Sequence, residues 1–243
     1  MASVRELSDP YGNFMLAPRH GPAVCEVCLN LTDGFARCYA CTHLEHRLDV
    51  VLPISYSVAA GQLHHALRGY KRFEGEVARR LGLQLAAVMW RFLDVHERCI
   101  ARAARIAGFD LVTTVPSGDR ELDVRRRHPL AWLIGEVVGP TRDRYRPLLL
   151  RSEAPVERRA FSDAKFVARE RLEGRSVLLV DDTWTTGASA QSAAAALRSA
   201  GAERVAAVVI GRHINAGWHD NARRLRAMET PFDWQHCALC ARE

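Results

Sequence analysis

The sequence predicts an α/β fold: a parallel sheet flanked by helices, with a small N-terminal metal-binding module. Three observations lead there. Short apolar runs alternate with helical segments over the second half of the chain, the pattern of a parallel sheet covered on both faces. One of those runs leads through two acids and a hydroxyl-rich turn into a helix. Six of the seven cysteines fall into C-x-x-C pairs, two of them close to the N-terminus.

The chain has 243 residues, of which 48% are hydrophobic, enough for one sizeable core plus a small module. No apolar run approaches the length of a membrane span, and Met1 to Gly12 lacks the apolar stretch of a secretion signal, so a cytoplasmic location is the expectation. The net charge is +6, and all but two of the 34 basic side chains are arginine. That balance favours anionic partners, phosphorylated metabolites or nucleic acid, without choosing between them.

The expected order begins with residues 1–48, a loose terminus and a cysteine-rich module. Residues 49–108 form a connector: a strand over Val50 to Val58, a helix over Gln62 to Arg68, a break at Gly69 to Gly75, and a long helix from Glu76 to Ala104. Val77, Leu81, Leu85, Val88, Met89 and Phe92 give that last helix its apolar face. Residues 109–217 form the α/β core. Leu111 to Val115 is a strand ending in the turn Pro116-Ser117-Gly118-Asp119; Leu130 to Val138 reads as helix and Arg146 to Leu150 as strand. The charged stretch Arg151 to Ala168 reads as a mobile loop. Ser176 to Val180 is a buried strand, Ser189 to Ala200 a helix closed by Gly201, and Val205 to Ile210 the next strand. Residues 218–243 are a tail.

The segment Val177-Leu178-Leu179-Val180-Asp181-Asp182-Thr183-Trp184-Thr185-Thr186-Gly187-Ala188-Ser189 carries the most chemistry. In open α/β sheets ligands bind beyond the carboxyl ends of the strands. A turn opening a helix offers backbone N–H groups and a favourable dipole to phosphate. Thr185, Thr186 and Ser189 add hydroxyls, and Gly187 permits close approach of the backbone. Asp181 and Asp182 repel phosphate but suit vicinal ribose hydroxyls, or a magnesium ion held through water.

Cys25-x2-Cys28 and Cys38-x2-Cys41, nine residues apart, supply the four thiolates of a structural zinc (Zn2+) site. Zinc would provide folding energy that so short a segment lacks. Cys237-x2-Cys240 either joins these four, bringing the chain ends together, or belongs to a second site, with His43, His46 and His236 as neighbouring donors. Cys99 reads as a buried small hydrophobe.

The thirteen residues from Val177 to Ser189 resemble the signature of type I phosphoribosyltransferases for 5-phosphoribosyl-1-pyrophosphate (PRPP). The resemblance implies Asp181 and Asp182 on the ribose hydroxyls, and Thr183 and Thr185 to Ser189, Ala188 included, around the ribose and its 5-phosphate. Magnesium (Mg2+) would accompany PRPP. It also implies a pyrophosphate loop at Pro116, Ser117, Gly118 and Arg120, and basic residues on a closing loop, best represented by Arg159 and Lys165. The hypoxanthine-guanine branch has an Asp where this chain has Thr185, so purine salvage of that type is not implied.

The four-cysteine module, the connector Lys71-Arg72-Phe73-Glu74-Gly75 and the PRPP segment together resemble the ComF family over residues 23–215. That family is associated with DNA uptake. The resemblance implies a phosphoribosyltransferase-type protein, or a PRPP-binding adaptor acting with single-stranded DNA or a DNA-processing protein, and is compatible with a homo-oligomer. The chain departs from the family at Arg127-His128-Pro129-Leu130 and at Arg159-Ala160-Phe161-Ser162, in the half of the site that holds the leaving group and acceptor. No N-terminal catalytic cysteine is present, so glutamine-dependent amidotransfer is not implied.

Overall fold

The computed structural model describes residues 2–116, 129–157, 159–228 and 231–240. At its centre lies a four-stranded, all-parallel sheet in the order β1-β6-β5-β2. The strands are β1 (Val50–Val58), β2 (Leu111–Thr114), β5 (Ser176–Trp184) and β6 (Arg204–Ile214). The continuous apolar runs at β5 and β6 place these two strands in the middle, buried on both faces. The connector thus contributes an edge strand to the same sheet as the core.

Side-chain alternation divides the core into two layers. Leu52, Ile54, Leu178, Val180, Val208 and Ile210 face one cluster, which includes α3 (Gln62–Arg72) and α4 (Gly75–Ala103). Val51, Val177, Leu179, Val205, Ala207 and Val209 face the other, with α7 (Ala188–Ser199) and the four N-terminal cysteines. The run of alanines on α7 lets that helix lie close to the sheet.

β1 is an edge strand and carries Pro53, a residue tolerated where one side of the ladder is unpaired. The N-terminal segment covers that edge. It begins with α1 (Val4–Ser8), followed by a 3-10 turn over Asp9–Asn13, and Leu16 then forms an antiparallel bridge with Tyr56. The Tyr56 hydroxyl donates to the Leu29 carbonyl at 2.7 Å, tying the cysteine module to the same strand. The module ends in α2 (Tyr39–His43). Arg224 of α8 (Asn221–Arg226) donates to the carbonyls of Thr32 and Ala23 and holds the module from the other side.

Several elements differ from the expectations, the strand expected over Arg146 to Leu150 among them, which forms only over Leu149–Arg151. α3 runs on to Arg72, so Gly69 to Arg72 are helical rather than a break. Gly69 permits this: a β-carbon there would stand 2.7 Å from Leu81 Cδ1 and 2.8 Å from Phe73 Cε2, so its absence lets α3 turn tightly into α4. Leu130 to Val138 is a short helix, α5 (Pro129–Trp132), relaxing into a π-type turn over Leu133–Val137 before α6 (Gly139–Arg142). The stretch expected as a mobile loop ends in β4 (Phe166–Ala168), which pairs antiparallel with β3 (Leu149–Arg151). Its tip is tied to α7 by the Ser162 amide donating to Ser192 Oγ at 3.0 Å.

Gly211 on β6 sets how closely α3 approaches the sheet. A β-carbon at this position would meet Leu67 Cδ1 at 2.6 Å and Ser57 Cβ at 2.8 Å. Gly211→Ala is expected to lower stability by about 1–3 kcal/mol through overpacking. Urea unfolding measures this, and a neutral result would show that α3 has freedom to shift.

Candidate functional site

The site residues come together at the carboxyl edge of the sheet. β2 stops pairing at Thr114, opposite Val180, whereas β5 and β6 continue pairing through Trp184 and Arg212. The two acids therefore lie within an extended strand, beyond the last β2 partner among the described residues. The sequence predicted the strand to end at Val180. It runs four residues further because β6 is long enough to supply ladder partners.

Adjacent residues on a strand face opposite ways, and the acids have different surroundings. Asp182 is 4% exposed. Its Oδ2 accepts a 2.8 Å hydrogen bond from the Tyr70 hydroxyl and forms a 2.6 Å ion pair with Lys71 Nζ. Tyr70 and Lys71 stand on the last helical turn of α3, so the extension of that helix brings them to the acid. Burial, then the negative charge of Asp182, hold the Tyr70 phenol well above its ordinary range. Asp181 is half-buried, and its Oδ1 accepts the Asp182 amide at 2.9 Å. Burial and the neighbouring Asp182 charge push its carboxyl up to about 8, opposed by Lys71.

Beyond the acids, the loop Thr185 to Gly187 leads into α7. Gly187 caps the helix with φ +88°, in the left-handed region that favours glycine. A β-carbon on it would lie 2.1 Å from Trp184 Cζ2, so the indole packs directly beneath the loop. The indole fills the floor that Gly187 leaves. The Thr186 hydroxyl accepts the Ala188 amide at 3.3 Å. Ser189 lies in the first turn of a twelve-residue helix, where N–H groups have no intrahelical acceptor.

Arg212 was not singled out in the sequence, yet it shapes this loop. It is 3% exposed, and its Nη1 donates to the carbonyls of Trp184, Thr185 and His213 at 3.1, 2.9 and 2.8 Å. Among the described residues, three buried side-chain polar atoms lack a partner: Ser57 Oγ, Trp184 Nε1 and Arg212 Nε. All three belong to the carboxyl ends of neighbouring strands, β1, β5 and β6. His64 and His213 stack with ring centroids 5.3 Å apart, and burial lowers both imidazoles below their usual range.

The predicted leaving-group half is only partly described. Pro116 follows Val115, whose amide donates to Val180 at 3.1 Å, so it stands at the same sheet edge. Ser117, Gly118 and Arg120 lie outside the described residues, as do Arg127 and His128. Arg159 is exposed, and its charge reaches His213. Lys165 is not a solvated loop cation: it is 2% exposed and donates to the Ala160 carbonyl at 3.2 Å. Pairing of β3 with β4 draws it inward, and burial lowers its ammonium below the usual lysine range. A surface depression lined by Tyr11, Phe14, Gln62 and His65 contains none of the predicted residues.

The four N-terminal cysteines converge as expected. Their sulfurs all lie within 4.8 Å of one another, and all four side chains are buried. Cys28 and Cys38 stand 3.7 Å apart, the edge of a tetrahedron around zinc with bonds of about 2.3 Å. The Cys25 amide donates to Asn30 at 2.7 Å, and Leu29 turns back onto Cys25 with φ +57°, forming the first knuckle. Cys38 opens α2, forming the second. The donor set fits a structural zinc. His43 and His46 turn to the carbonyls of Tyr39 and Cys41, and His236 to Asp233.

Cys237 and Cys240 do not join that group. They converge with His96 and Cys99 of α4, their ligand atoms also within 4.8 Å of one another. Cys99 is therefore half-buried among sulfurs rather than a buried hydrophobe. The signal for His96 and Cys99 was present as an H-x-x-C spacing on a helix, which places both on one face.

The raised Asp181 carboxyl carries a stability consequence. Between its ordinary value of 3.8 and about 8, the folded chain holds a proton that the unfolded chain has released. The group's contribution is complete below the lower value and lost as pH rises through the upper one, at about 1.4 kcal/mol per unit of elevation. Asp181→Asn is thus expected to exceed the wild type in stability at about pH 8, with the gap narrowing toward about pH 5. Urea unfolding at both pH values tests it, and a gap independent of pH would contradict this assignment.

No family model matches the chain, and no curated protein matches it, so the reading of function rests on the residues themselves.

Proposed function

We propose that this chain is a phosphoribosyltransferase-type protein that binds PRPP with magnesium at the carboxyl edge of its parallel sheet. The observation that carries the reading is the Val177–Ser189 segment, which begins as a central strand, turns at Gly187, and opens α7. Asp181 and Asp182 would take the ribose hydroxyls, and Thr185 to Ser189 the 5-phosphate. The unpartnered polar atoms of Ser57, Trp184 and Arg212 support a polar ligand nearby, since buried polar groups ordinarily find partners. Magnesium, when bound with PRPP, would supply charge neutralisation of the leaving pyrophosphate.

The chain's own residues would do the positioning. Arg212 fixes the loop carbonyls and so pre-forms the phosphate cradle. Tyr70 and Lys71 hold one Asp182 oxygen in place. Trp184 and Gly187 keep the loop floor tight. Such pre-organisation lets binding energy be used for orientation. Transfer of the phosphoribosyl group to a nitrogen acceptor, with release of pyrophosphate, is the enzymatic form of this reading.

One observation favours a second reading, an adaptor that binds PRPP or a related ribose phosphate without turnover, in partnership with DNA or a DNA-processing protein. Asp182 is already engaged by Lys71, an arrangement that locks the acid rather than leaving it free.

Calorimetry with PRPP and magnesium tests the shared core of both readings. Asp182→Asn is expected to weaken binding about ten- to a hundredfold, the range for a hydrogen bond to a charged group. Unchanged binding would remove the assignment. Labelled PRPP offered with a panel of nitrogenous acceptors, with and without single-stranded DNA, separates the two. Pyrophosphate release selects the enzyme, and binding without release selects the adaptor.

A further inference from the structure

The segment 231–240 contains no strand and no long helix, yet Phe232, Trp234, Cys237 and Leu239 are buried. Direct contacts account for part of its attachment. The Phe232 amide donates to Gly12 at 3.0 Å, and the Arg91 guanidinium lies 4.3 Å from the Trp234 ring centroid. Arg91 also donates to Ser8 Oγ at 3.2 Å and pairs with Asp9 at 2.5 Å. Both ends of the chain thus meet on α4.

Four ligand atoms converge at this meeting point. Cys240 Sγ lies 3.4 Å from Cys237 Sγ, 3.4 Å from Cys99 Sγ and 3.5 Å from His96 Nδ1, while Cys99 Sγ lies 3.8 Å from His96 Nδ1. Bonds of about 2.3 Å to sulfur and about 2.0 Å to nitrogen give tetrahedron edges of about 3.5–3.8 Å. The observed spacings cluster there and are far from the ~2.05 Å of a disulfide. The imidazole is also oriented for ligation. Its Nε2 lies 3.1 Å from the Trp234 carbonyl, which accepts an N–H and so leaves the Nδ1 lone pair facing the three sulfurs. A carbonyl on the far nitrogen is the usual outer support of a metal-bound histidine.

We propose that His96, Cys99, Cys237 and Cys240 form a second, independent zinc site that clasps the C-terminal segment onto α4. The metal takes three thiolates and one neutral imidazole, and binding releases the thiol protons. It supplies folding energy to a segment with too little regular structure to hold itself, and through Trp234 and Phe232 it steadies the N-terminal turn as well. This clasp does not depend on PRPP binding. Its cysteines are also less sheltered than the first site's: Cys99 and Cys240 are partly exposed, whereas Cys25, Cys28, Cys38 and Cys41 are all buried. A chelator is therefore expected to strip the second site first.

Elemental analysis of the full chain, purified under reducing conditions, is expected to give two zinc ions, matching the two donor groups. Cys99→Ala should lose one equivalent while keeping the wild-type far-ultraviolet circular dichroism, and its chain should be cut faster by protease within residues 231–240. Equal zinc content in wild type and variant would overturn the proposal, as would recovery of Cys237 and Cys240 as a disulfide. Should Cys99→Ala fail to fold, stepwise cobalt loading of the wild-type chain decides instead. A three-sulfur, one-nitrogen spectrum alongside the four-sulfur one supports the clasp, and a four-sulfur spectrum alone overturns it.

Discussion

The pairing of β5 with β6 past the end of β2 is the constraint on which the rest of the candidate site depends. A ladder running from Ser176↔Arg204 to Trp184↔Arg212 carries two carboxylates, an indole and a guanidinium to a ledge that has no strand on its β2 side among the described residues. Ending both strands together would place the acids in a loop, exposed to water and free to turn. Continuing the ladder fixes their directions, one to each face. It also sets Arg212 beside the loop, where a buried guanidinium must find acceptors. The Trp184, Thr185 and His213 carbonyls supply them, and in doing so they fix the shape of the turn into α7.

The two neighbouring acids illustrate how direction becomes chemistry. Asp182 points to the α3 side, where a phenol and an ammonium meet it at one oxygen. Asp181 points the other way, and the charge of Lys71 only partly offsets its burial. Burial then favours its neutral form. A ribose hydroxyl arriving here would meet one carboxylate already polarised by a cation and one carboxyl able to donate as well as accept. A magnesium ion would favour ionising both, so binding of such a ligand would release a proton from Asp181.

Much of this was legible in the sequence, and what was not has a physical reason. The strands at Val50–Val58 and Leu111–Thr114, the apolar half of β5 and the helix α7 follow from uninterrupted or periodic apolar runs, which burial on two faces demands. The four N-terminal cysteines follow from ligand spacing alone. The end of β5 was missed because Asp181-Asp182-Thr183 looks like a turn to any local rule, whereas its strand state is set by a partner some thirty residues away. The roles of Tyr70 and Lys71 depend on a helix continuing through Gly69, and that depends on the absence of a β-carbon against Leu81 and Phe73. Lys165 read as a loop cation because its burial arises from the β3–β4 pairing. His96 and Cys99 were hidden within a helix whose apolar pattern explained them well enough without the Cys237 and Cys240 that meet them in space.

The two donor groups occupy parts of the chain with little regular secondary structure. The central sheet and its helices bury long aliphatic runs and need no help. Residues 21–48 and 231–240 have little regular structure of their own. They attach at the two places where the core would otherwise be open: the edge of β1, which would expose an unpaired ladder, and the flank of α4, which carries His96, Phe92 and Arg91. Each attachment shapes something nearer the site. The module closes the strand carrying Ser57, and the tail braces the helix joined to α3 and thus to Tyr70 and Lys71. Metal-ready donor groups at the periphery and the extended ladder at the sheet edge are in this sense one arrangement. Aliphatic burial holds the centre, and coordination at the two donor groups would add to what holds the segments around it.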